Sequence, residues 1–590
     1  MRTRKAKDRS RLIQAAMGQI PCDLTIGNVQ FFNVITGEIY PASVDILDGF
    51  VVLVREEGQE AVLPSKSYYD GQGRYLIPGY IDTHMHIEST MMIPENLARA
   101  ILPWGTTTIC TDPHEIGNVM GLDGVRFMLE NAKKSKLRQY VLAPSCVPSL
   151  PGMENAGAEF FAREVGELLD MDDVIGIAEI MDYVGVIHDS ERMHTIIDEG
   201  LRRGMFLQGH APYCFGRELA AYRIGGPVSD HESVNADEVR AKLRAGMHIN
   251  LRASSLIDNL SFLVDGCKDQ PWRDFVSICT DDVHAKDLLT VGHINNVVRK
   301  AVASGLDGRE VVKMATFNAA REYGFDDLGA IAPGYIADIQ LVDALDGSRP
   351  KAVFTEGVLV AEYLGGDCKT ADYDLPNTVD LPQITGPESF ELRVPEGYTG
   401  DTIRVNVMVS EDGNRILRHV EPVELPVRDG VVDISGDPTL VFVCCANRYG
   451  RGGKTIAVYR DFGLRAGALA STISHDSHNF TVSYHDPKDA FRAAEILRAC
   501  GGGICVIDGE QETHIALPAA GLMSQKPCAE VAGEIAAVQS ALDVISDGQL
   551  TLLATAIMAL PVLPSVVITD MGLVNGANQT FVPVFADAEA

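Results

Sequence analysis

No two of the twelve cysteines form a CxxC pair, and their spacing along the 590 residues follows no short rule. A disulfide framework and a thiolate zinc site are therefore not expected, and reduced thiols in a cytoplasmic protein are. No run of about 18 uninterrupted apolar residues occurs, so no membrane span is expected. Positive charge is scarce, with 50 Lys and Arg against 81 Asp and Glu, a net charge of −31. That balance speaks against nucleic acid or an anionic membrane as partner and leaves a small neutral or cationic substrate open. The one basic run, Arg2, Arg4, Lys5, Lys7, Arg9 and Arg11, is followed by no apolar stretch of the secretory kind. Residues 1–21 read as a solvated basic extension. No internal repeat is evident beyond the strand–helix rhythm described next.

The composition, 46% hydrophobic and 22% charged, suits a globular chain of several units. Residues 22–76 alternate apolar and polar positions between glycines, the pattern of a small β unit. A return to β character over 331–365 suggests that the two stretches form one composite domain. Between them, over 77–330, short strand-like runs end in polar residues and are followed by helical stretches. The run ends are Asp82–His86, Thr111–Glu115, Pro144–Cys146, Ala178–Glu179, Gln208–His210, Ser229–His231, Asn250–Arg252 and Thr280–Asp282. Strands alternating with helices argue for parallel pairing, and eight of them for a closed (β/α)₈ TIM-like barrel. Such barrels carry their chemistry at the C-terminal ends of the strands, where the polar residues gather here. Residues 366–387, rich in Asp, Pro and Thr, read as a linker. Residues 388–590 read as an α+β domain, with strands near Val405 and Val441 and helices over 487–500 and 528–546.

His84 and His86 are two apart on a strand, so both imidazoles point the same way. Alone such a pair is weak, and most bind nothing. Glu179, His210, His231 and Asp281 stand at later strand ends of the same barrel, however. Together the six supply four imidazoles and two carboxylates, enough to bind two divalent metal ions with positions left for water. Asp281 is the candidate proton shuttle, while Asp282 is expected to point the other way as a loop anchor. Asp112, His114 and Glu115, at the second strand end, read as supporting or substrate-contacting groups, or as loop stabilisers. Arg252 and Ser254 are weaker candidates for substrate contact, and His293 reads as helix packing. His475 and His478 are three apart in the C-terminal domain. They cover the barrel mouth, bind an additional metal, or form a polar turn.

The order HxH, acid, His, His, Asp resembles the amidohydrolase superfamily. Within it, Pro78–Ser89 (PGYIDTHMHIES), Asp112–Ile116 (DPHEI), Glu179–Tyr183 (EIMDY), Cys279–Asp282 (CTDD) and Ala470–Asn479 (ASTISHDSHN) are similar to adenine deaminases. The resemblance runs from about residue 22 to the end. It implies hydrolytic deamination of adenine to hypoxanthine and ammonia by a metal-activated hydroxide, with Asp281 relaying protons and Glu115 the next acid in line. Substrate contacts are expected from Asp112, His114, Arg252, His475 and His478. Imidazole and carboxylate donors suit Mn or Fe, with Zn a further option. Cyclic-amide hydrolases of the superfamily place a carboxylated lysine on the fourth strand, whereas Glu179 stands here and is implied to bridge the metals through its two oxygens. Barrels of this type often assemble, so a homo-oligomer is expected. Two rivals stay open: a related hydrolase of another aminated ring or cyclic amide, and a barrel without catalysis that serves in binding or assembly.

Overall fold

Runs such as Thr106–Thr111 (TTTICT) and Val174–Ile180 (VIGIAEI) are buried at every position. That is the character of parallel strands covered on both faces. In the computed structural model, Tyr80–His86, Thr106–Thr111, Arg138–Ala143, Val174–Ile180 and Phe206–Gly209 pair in parallel as the first five strands of a barrel. Ser229–Asp230, His248–Arg252 and Val276–Cys279 follow as the sixth to eighth. The circle closes where Asp281 and Asp282 pair with Met85 and His86 of the first strand. On the opposite side Val228 N–H donates to Leu207 O at 2.9 Å, bringing the sixth strand against the fifth. The structure describes residues 9–56, 58, 62–255, 258–364, 375–411 and 414–587. The start of the basic extension and residues 366–374 of the expected linker lie outside them.

Local signals set the crossovers. Ser190 accepts from Met193 N–H to open the helix Glu191–Arg203, and Gly204, at φ +64°, ends it in the left-handed conformation. Asn235 opens Ala236–Arg244 in the same way, accepting from the backbone N–H groups of Asp237 and Glu238.

The chain before and after the barrel shares one seven-stranded sheet. Ser65–Pro78 lies between Cys22–Phe32, which it pairs in parallel, and Ile339–Val342, which it pairs antiparallel. This corrects the expected start of the barrel at 77, because Ile77 and Pro78 still pair with Gln340 and Ile339 of the small sheet. The hand-over happens at Gly79, whose N–H donates to Asp338 O, while Tyr80 N–H donates to Gly105 O. A Cβ at Gly79 would meet Thr107 Oγ1 at 2.3 Å, so the crossing is too tight for a side chain.

The C-terminal region forms a nine-stranded mixed sheet with one helix on each face, Pro487–Cys500 and Cys528–Ser546. Val531, Ile535, Val538 and Leu542 of the second helix share a continuous apolar core with Met92, Leu97, Ile101 and Leu288 of the barrel. Polar clasps reinforce that contact: Asn155 N–H and Nδ2 donate to the Asp570 carboxylate, and Asn479 Nδ2 donates to Asn155 O. The C-terminal region therefore sits on the barrel face that carries the polar strand ends.

Candidate active site

The first strand aims His84 and His86 into the barrel, with their Nε2 atoms 3.1 Å apart. Glu179 Oε1 lies 3.1 Å from His84 Nε2 and 3.7 Å from His86 Nε2. Asp281 Oδ1 lies 3.5 and 3.2 Å from the same two nitrogens. Ligand bonds of 2.0–2.2 Å in a tetrahedral shell leave ligand atoms about 3.3–3.6 Å apart, so these four atoms have the spacing of ligands around one cation. Glu179 Oε1 also meets His210 Nδ1 at 3.1 Å and His231 Nε2 at 2.7 Å. A single carboxylate oxygen thus faces all four imidazoles. Its other oxygen, Oε2, is turned toward His114 Nδ1, 3.7 Å away.

Several observations test whether these residues fit divalent ions. His86 Nδ1–H donates to Asp112 O at 3.0 Å, which leaves Nε2 as a bare lone pair facing His84. His84 Nδ1 and His231 Nδ1 are buried without a hydrogen-bond partner. Burial alone would lower the His84 imidazole, but the Asp281 and Glu179 carboxylates outweigh it and raise it to about 9. Burial and the neighbouring His84 push His231, stacked 3.9 Å away, down to about 3. Burial opposes ionisation of Glu179 and Asp281, yet the surrounding imidazoles, with Arg252 at Asp281, hold both carboxyls well below the usual range. Protons cannot serve all four rings at once, whereas metal ions bind neutral imidazole and carboxylate together. The donor set fits.

Asp281 sits at φ +62°, in the left-handed region. Its Oδ2 accepts from Arg252 Nη1 at 3.0 Å, and Arg252 also pairs with Glu232. That backbone turn interrupts strand alternation, so Asp282 is on the cavity wall with Asp281, and the expected opposite orientation is corrected. Asp282 also accepts from Ser89 Oγ. His293 departs from its expected helix-packing role as well: its Nδ1 meets Thr106 Oγ1 at 3.0 Å and its Nε2 lies 3.3 Å from Asp82 Oδ2, inside the barrel. Sequence reasoning gave no role to Asp82, which accepts from His84 N–H and from Thr280 and so ties the first strand to the eighth. Its place just before the HxH pair was the available signal.

A cavity of about 350 Å³ opens above the cluster. His114, Glu115, Met181, Arg252, Ser254 and Asp281 line it from the barrel, and Leu417, His475, Ile557, Leu560 and Leu563 from the C-terminal region. Two residues expected to contact substrate lie off the cavity wall. Asp112 is buried behind the wall and accepts from His114 Nδ1–H at 3.1 Å, fixing that ring. His478 is buried off the wall, its Nδ1 accepting from Ser474 N–H at 3.2 Å. Two fully or nearly buried arginines shape the roof and had no sequence signal. Arg448 donates to His478 O and Ala520 O, and Arg418 to Val566 O and Ile557 O.

Fold and cluster define a metal-dependent hydrolase of the amidohydrolase type, and residues 75–360 match the amidohydrolase family. Residues 415–580 match the adenine deaminase C-terminal domain. The chain is 37% identical to adenine deaminase 2 of Carboxydothermus hydrogenoformans, over 97% of this chain and 99% of that one. It is 35% identical to the adenine deaminase of Moorella thermoacetica, over 96% of each. With that of Methanothermobacter thermautotrophicus the identity is 38%, over 93% of this chain and 97% of the relative. The chain belongs to the adenine deaminase family.

Proposed function

We propose that the chain hydrolyses adenine to hypoxanthine and ammonia, as a step of purine salvage or catabolism. The observation that carries this reading is the six-residue cluster beneath a cavity whose roof is the C-terminal domain of an adenine deaminase. His84, His86, Glu179, His210, His231 and Asp281 would hold two divalent ions, Mn or Fe before Zn on the strength of donors without thiolate. Bound ions supply Lewis acidity, which makes water a competent nucleophile near neutral pH.

The chain's own groups divide the remaining work. The Asp281 carboxylate takes the proton of the attacking water and returns it to the departing amine, while Arg252 fixes its plane. Glu115, on the cavity wall beside His86, is positioned toward the ring nitrogens of a purine. Leu417, Ile557, Leu560 and Leu563 cover a flat ring and exclude bulk water. Against the rival with a carboxylated lysine, the fourth strand Val174–Ile180 carries Glu179 and no lysine. A reducing, cytoplasmic setting is supported by eleven described cysteines that are all free thiols. Among the described residues no helix is long and apolar enough to cross a membrane.

The test is ammonia release from a panel of purines and pyrimidines by the Mn²⁺-loaded chain. Adenine is expected to lead the panel. Turnover of a cyclic amide or another aminated ring in preference to adenine would overturn the assignment.

A further inference from the structure

A second convergence of ligand atoms lies beside the six-residue cluster and uses none of its members. His114 opens the helix His114–Ala132, and its Nδ1–H is fixed by the Asp112 carboxylate. The Nε2 lone pair is therefore presented forward, the carboxylate–imidazole arrangement by which proteins orient a metal-binding histidine. It is buried, has no hydrogen-bond partner, and lies 3.3 Å from Asp476 Oδ1 of the C-terminal region. His475 Nδ1 lies 3.8 Å from the same oxygen, and ligand atoms of all three residues fall within 4.8 Å of one another.

Acceptors are in excess here. Besides His114 Nε2, Asp476 Oδ2, both Glu115 oxygens and His478 Nε2 are buried without hydrogen-bond partners. Buried lone pairs facing carboxylates repel unless something positive lies between them. A proton shared by His114 and Asp476 would relieve one contact and leave His475 and the other acceptors facing each other. A divalent cation would meet His114 Nε2, Asp476 Oδ1 and the His475 imidazole together. The geometry points to a third divalent-cation site, formed by His114 from the barrel with His475 and Asp476 from the C-terminal region. Two imidazoles and one carboxylate are the donor set of a first-row transition ion such as Zn²⁺. All three residues border the cavity, which supplies an entry path and room for water as the remaining ligand. Because its ligands come from both halves of the chain, the ion acts as a clasp that holds the roof in register over the barrel.

The test loads the full chain with Zn²⁺, dialyses it against metal-free buffer, and counts ions by elemental analysis. Three per chain are expected in the wild type and two in Asp476→Asn and in His475→Asn, with cooperative melting as the check that the variants are folded. An anomalous difference map at the zinc edge, from wild-type crystals, needs no variant and should place the third peak between His114 and Asp476. Two ions in the wild type, or a third peak elsewhere on the surface, would overturn the site while leaving the six-residue centre intact. A count of zero would remove both.

Discussion

Asp281 is held by partners that make opposite demands on it. Its Oδ1 faces the His84 and His86 nitrogens, and its Oδ2 is held by Arg252. The guanidinium fixes the carboxylate plane. Replacement by Asn keeps the shape and removes the proton acceptor, so Asp281→Asn should lower adenine turnover by about 10²–10⁴-fold when normalised to bound metal. A per-metal fall of less than about tenfold would assign proton transfer to another group, with Glu115 next in position. Period-two alternation was enough to read His84 and His86 as partners. The same rule misjudged Asp282, because one left-handed residue at Asp281 breaks the alternation, and nothing in the pair Asp281-Asp282 announces that turn.

At the scale of elements, the loops after the fifth and sixth strands carry His210 and His231, and a buried ion triad positions them. Lys242, on the helix Ala236–Arg244, donates to Asp230 Oδ1 at 2.6 Å and to Glu238 Oε1 at 3.0 Å, with all three side chains fully buried. Asp230 also accepts from Ala211 and Glu232 N–H groups, and Glu238 from Tyr213 and Val234. Lys242→Met would leave two buried carboxylates without their cation and should destabilise the fold by about 3–5 kcal/mol, read from urea unfolding at pH 7. A loss below about 1 kcal/mol, the range of exposed ion pairs, would show that the loops are held by other means. In the sequence Lys242 looks like any charged residue of an amphipathic helix. Its burial depends on Asp230, twelve residues earlier on another element, and helical periodicity cannot report that.

At the scale of the whole molecule, the barrel and both C-terminal helices were legible, because their signals are local: strand ends crowded with polar groups, and helical periods over 487–500 and 528–546. The roof was not. Leu417, Ile557, Leu560 and Leu563 are apolar residues that any core would accept, and only docking decides that they line a cavity. Arg418 donates to the carbonyls of Ile557 and Val566 and so fixes the segment that carries Leu560 and Leu563. Arg418→Met should raise KM for adenine by about tenfold, the equivalent of one lost charged hydrogen bond, with metal content unchanged by elemental analysis. An unchanged KM would separate the roof from substrate binding.

That the cavity is closed by residues 557–564 also has a consequence in time. Every member of the six-residue cluster has been synthesised once Asp281 is added, whereas Pro564, also on the cavity wall, follows 283 residues later (564 − 281). At about 5–20 residues per second that is an interval of roughly 15–55 s before the cover of the barrel mouth is complete. Cations therefore meet an open vestibule during translation and a roofed one afterwards.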